Sequence, residues 1–167
     1  MPKKTVQPLR TGLLNGANIK IEWVRNDALR EEVCITNEGT LAQPMSFWAL
    51  ASLFGERFFF FPEDLFLLPG KSVFVHSGQN QSGTVLSDDI HLVWTDEQVW
   101  NNRGDLAVLF DAHGEEVDRF GYPREQVRSR NKDRRKILSH DGDKWTIKDE
   151  PVNNKRAGLR LNQRGMP

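Results

Sequence analysis

Residues Asp88–Tyr122 read DDIHLVWTDEQVWNNRGDLAVLFDAHGEEVDRFGY, and this stretch decides the fold. It contains three strand-like runs, Ile90–Trp94, Leu106–Phe110 and Glu116–Phe120, each rich in β-branched, aromatic or long apolar residues. Turn formers separate them. Trp100-Asn101-Asn102-Arg103-Gly104-Asp105 fills the first gap. Ala112-His113-Gly114-Glu115 fills the second, with glycine where a hairpin needs a positive φ.

The same alternation of short strands and turns extends towards the N-terminus. Ile19, Ile21 and Trp23 alternate with Lys20 and Glu22, which predicts a half-buried strand ending in a turn at Asn26-Asp27. Further strands are expected at Glu32–Thr36, Phe47–Leu53, Arg57–Phe61 and Ser72–Ser77, with an edge strand near Thr5–Leu9. Residues Gly78–Ser87 read as a long exposed loop. Four consecutive phenylalanines, Phe58–Phe61, must point to both faces of their sheet. Either both faces are covered or two rings form an exposed apolar patch. About eight short strands at this spacing predict an all-β sandwich over residues 15–122. A flexible lead-in over 1–14 and a basic tail over 123–167 flank it. The expected core includes Trp23, Trp48, Phe61, Trp94, Trp100, Leu106, Val108 and Tyr122.

Several motifs go beyond strand periodicity. They are Leu92-Val93-Trp94, the WNNRGD loop, the pattern L-x-D-x-x-G-x-x-V-D from Leu109 to Asp118, and a closing Tyr122. Upstream stand Ser46-Phe47-Trp48-Ala49-Leu50, Phe60-Phe61-Pro62 and Leu67-Leu68-Pro69-Gly70. Together they resemble the lamin tail domain family, with Ser46 in place of the usual glycine. The resemblance implies an immunoglobulin-like sandwich of eight or nine strands with no active site. It implies an interaction domain that offers strand edges and loops to a protein, and to DNA as an alternative. No heptad run precedes the domain and no lipidation motif follows it, so filament membership and membrane attachment do not carry over.

The 167 residues carry 23 Lys and Arg against 23 Asp and Glu, but the balance is uneven along the chain. Residues 1–122 hold ten cations and seventeen anions, a net of −7; residues 123–167 hold thirteen and six, a net of +7. The lone Cys34 excludes an internal disulfide and reads as a small apolar filler. No leader and no long apolar run is visible, so no membrane association and a cytoplasmic location are expected.

Catalytic patterns are missing: there is no phosphate-binding glycine loop, no His-Glu-x-x-His and no Gly-x-Ser-x-Gly. One cysteine and His76, His91, His113 and His140, all scattered, do not read as a zinc site. No cofactor, no metal and no enzymatic activity are expected. A calcium site from Asp105 and Asp111 is a minor alternative. Arg103-Gly104-Asp105 spells an adhesion tripeptide, but it lies within the family's own loop pattern.

The remaining functional candidates are the tail cations Arg124, Arg128, Arg130, Lys132, Arg134, Arg135, Lys136, Lys155, Arg156 and Arg160, with Trp145 among them. Arg and Lys neutralise phosphates, and an indole stacks on a base. Three readings stay open: folding back on the acidic body, binding nucleic acid, or docking on an acidic protein surface. The run Arg124–Lys136 suits a helix in composition but lacks an apolar stripe. Lys144–Lys148 suits a last short strand or a docking peptide.

Overall fold

A computed structural model of the chain describes residues 10–27, 29–79, 89–123 and 134–151. The strand expected near Thr5–Leu9, most of the 78–87 loop and the cations Arg124, Arg128, Arg130, Lys132, Lys155, Arg156 and Arg160 lie outside them.

Twelve strands are described, in the order β1 (Ile19–Asp27), β2 (Arg30–Asn37), β3 (Gln43–Pro44), β4 (Ala49–Ser52), β5 (Arg57–Phe60), β6 (Phe66–Leu67), β7 (Ser72–Gly78), β8 (Ile90–Thr95), β9 (Asp105–Phe110), β10 (Glu116–Tyr122), β11 (Arg134–Asp141) and β12 (Lys144–Pro151). Two four-stranded sheets form the body, β1-β2-β7-β8 and β10-β9-β4-β5. All neighbours run antiparallel except β7 and β8. The fold is all-β, as the strand-and-turn pattern predicts.

Period two brings Ile19, Ile21, Val33, Ile35, Val73 and Val75 from the first sheet against Leu50, Ala107 and Leu109 from the second. Trp48 and Phe61 fill the same core, along with Trp100. Trp94 and Tyr122 pack against its rim. Trp48 is fully buried, and its indole N–H donates to the Thr11 carbonyl at 2.9 Å. Buried Gln43 accepts from the Leu14 amide at 2.8 Å. Thr11 to Leu14 are therefore tied to the body rather than forming a flexible lead-in.

Three expectations need correction. Trp23 is not in the core. A bulge between Ile21 and Trp23 shifts the phase of β1, so the indole turns to the outer face and sits 6.0 Å from the Phe74 ring. The strand expected at Phe47–Leu53 is β4 and begins at Ala49, because Phe47 takes a left-handed φ of +66°, outside the β region. The segment Asn26-Asp27 continues β1 before turning.

The largest departure is at the C-terminal end. Arg134, Arg135 and Lys136 lie on a strand, and β11 pairs with β12 through the turn at Gly142-Asp143. Gly142, at a φ of +61°, occupies the first central position, where a type II′ hairpin favours glycine. This hairpin lies on the outer face of the second sheet. Leu138 is buried there with Ala49, Ala51, Leu106, Val108 and Phe110, and Ile147, Phe58 and Leu53 pack alongside. Leu106 and Val108 thus belong to this second layer and not to the space between the sheets. The cover explains why β9 is buried at all six positions and β4 at all four.

The phenylalanine run is resolved by the same cover. Phe59 and Phe61 face the inner core, edge to face at 5.2 Å. Phe58 and Phe60 face the hairpin, where Phe60 meets Trp145 at 4.9 Å.

Candidate functional site

Three acidic side chains hold the loops of the sandwich. Glu31 shares the inward phase of Val33 and Ile35 and is only 2% exposed. Its carboxylate accepts from Ser77 Oγ at 2.5 Å and from the amides of Val99 and Trp100 at 2.7 and 3.0 Å. Asp105, fully buried at the start of β9, accepts from Ser52 Oγ at 2.6 Å and from the amides of Phe54 and Asn101 at 3.1 and 3.2 Å. Asp111, at the other end of β9, accepts from the amides of His113 and Glu115 at 2.8 and 3.0 Å. A buried carboxylate is stable only with such donors, and each one here fixes the backbone of a turn. Asp105 and Asp111 stand at opposite ends of one strand, so they do not converge on a cation. Among the described residues no group of three or more His, Cys, Asp or Glu is gathered to hold a metal ion.

The outer face of the first sheet carries a row of rings across three strands. The Arg25 guanidinium lies 4.6 Å over Trp23, Trp23 meets Phe74, Phe74 stacks on His91 at 4.7 Å, and His91 stacks on His76 at 5.1 Å. His76 Nε2 and His91 Nδ1 stand at hydrogen-bond distance, 2.8 Å, and Glu32 stands 3.8 Å from the other nitrogen of His76. Burial, assisted by His91 and opposed by Glu32, holds the His76 imidazole below its ordinary pKa. Cys34 on this face is buried, and burial pushes its thiol up, as befits a filler.

Three cations in the described part of the basic tail, Arg135, Lys136 and Lys148, are paired with acids. Arg135 sits 3.6 Å from Glu115. The Lys136 ammonium is buried and bound to Asp149 beneath the hairpin, so it is not offered to a phosphate. Trp145 is 41% exposed, and its ring is engaged by Phe60 and by His140 at 4.6 Å.

The anchoring roles of Glu31 and Asp105 escape a motif search, yet a signal exists. Glu31 falls on the core-facing phase of its strand, where an acid needs a reason. His76 and His91 meet only because β7 and β8 run parallel in register, which spacing does not reveal.

Among the described residues no helix is long and apolar enough to cross a membrane. No curated protein matches the chain. The family model of the lamin tail domain matches residues 15–124, which runs from just ahead of β1 to just past β10 and stops short of the β11–β12 hairpin. The two sheets and their anchored turns fall within that match, and the chain belongs to the lamin tail domain family, an immunoglobulin-like and non-catalytic fold.

Proposed function

We propose that this chain is a non-enzymatic interaction domain that holds strand edges and loops in place for a protein partner. The observation that carries this reading is the use of its buried acids. Glu31, Asp105 and Asp111 each accept from two amides of the surrounding turns, and Glu31 and Asp105 also from the hydroxyls of Ser77 on β7 and Ser52 on β4. Loops ordered before binding lose less entropy on contact, so the scaffold is prepared for recognition. The family's non-catalytic character supports the same reading.

Nucleic acid is the second reading, favoured by the +7 net charge of residues 123–167. Capture by the tagged full chain, with and without nuclease, separates the two. A partner retained after nuclease treatment and re-bound when purified supports a protein partner. Loss of binding on nuclease treatment, with affinity falling steeply with salt, points to nucleic acid. Substrate turnover abolished by one substitution contradicts both.

A further inference from the structure

One groove on the described surface joins apolar lining, an open strand edge and an unpaired charge. It encloses about 300 Å³ between the β4–β5 turn and β12, lined by Leu53, Glu56, Phe58, Trp145, Thr146 and Ile147. Phe60 and Trp145, 40% and 41% exposed, stand together beside it. β5 is the last strand of its sheet and β12 the last of the hairpin, so among the described residues no strand pairs with the outer edge of either. Such edges are templates for an added strand.

Glu56 supplies the charge. Its backbone sits at a φ of +50°, which the tight β4–β5 turn imposes. Among the described residues it makes no ion pair, whereas Glu97 is paired with Arg57, Asp149 with Lys136 and Asp141 with Lys148.

We propose that this groove takes an extended segment of a protein partner with alternating apolar and basic residues. The segment adds to the open edge of β12, sets an apolar side chain against Phe58 and Ile147, and places a Lys or Arg on Glu56. The strand edge selects an extended main chain, because a helix has no free backbone groups to pair with it. The unpaired carboxylate selects a cation, and an acidic segment is repelled. This proposal rests on the interaction-domain reading and names its site.

The test is fluorescence anisotropy with the full chain and a labelled peptide of about ten alternating leucine and arginine residues, against a leucine and glutamate control. The arginine peptide is expected to bind saturably and the glutamate peptide at least about tenfold more weakly. Glu56→Asn removes the charge and suits a positive φ, and is expected to weaken binding by about fivefold or more. Glu22→Gln, on the opposite sheet, makes the same change in net charge and is expected to change affinity much less. Failure to bind, equal affinity for both peptides, or equal loss in the two variants overturns the proposal. A protein partner captured by the full chain and indifferent to Glu56→Asn removes the groove but leaves the interaction-domain reading standing.

Discussion

The Leu138 amide donates to the Gly114 carbonyl at 2.8 Å, and the Leu138 carbonyl lies where a Cβ on residue 114 would stand. Gly114 also holds a φ of +81°. One glycine therefore serves both the β9–β10 turn and the seat of the C-terminal hairpin. Gly114→Ala is expected to cost about 2 kcal/mol or more, since left-handed strain adds to displacement of β11. Gly142→Ala has open space around it, and strain alone predicts about 1–2 kcal/mol. Urea unfolding of the two variants checks the order; equal losses would mean that β11 does not seat on the turn.

Trp48 is the largest fully buried side chain, and it also holds the Thr11 carbonyl. Trp48→Ala is expected to cost about 3–5 kcal/mol. Thermal or denaturant unfolding gives the value, and a loss near zero would misplace this ring.

Glu31 answers three donors from two other segments. Glu31→Ala is expected to cost about 3 kcal/mol or more, because it strands two buried amides and a hydroxyl. The near-ultraviolet signal of Trp100, whose amide is one of the three, should weaken in the folded variant.

His76 predicts a pH dependence of definite sign. Its folded pKa is lowered by burial, so the unfolded chain takes up that proton first as pH falls below the ordinary 6.5. Stability is complete above that value, declines as pH drops towards the folded pKa, and levels off beneath it. Asp118 is pushed up by burial and works in the opposite sense, losing stability as pH rises above 3.8. His76→Phe leaves an aromatic ring beside His91 and removes the titrating imidazole, together with its hydrogen bond to His91. The melting temperature should fall less between about pH 7.5 and pH 5.5 in the variant than in the parent.

The sandwich was legible in the sequence wherever one strand face meets solvent, as in β1 and β2, where apolar residues alternate. β4 and β9 are covered on both sides and show continuous burial, which periodicity alone cannot assign. The bulge after Ile21 leaves no local signature, so Trp23 reads as core until the register is seen. Most was missed in the hairpin. Its inward face includes Lys136, Leu138, Trp145 and Ile147, and a buried lysine paired with Asp149 looks in sequence like one more exposed cation. That misreading matters for experiments. Deleting residues 123–167 to test the tail's charge also uncovers Phe58, Leu106, Val108 and Phe110, so point variants in the full chain are the cleaner probe.

Native-state hydrogen exchange on the full chain most directly tests whether the sandwich and hairpin form one closed body that presents the edge of β12. The amide of Leu138 should be protected together with those of β4 and β9 and lose protection with them as denaturant rises. Exchange of the β11–β12 amides at the rate of an unfolded chain, while β4 and β9 remain protected, would contradict the account.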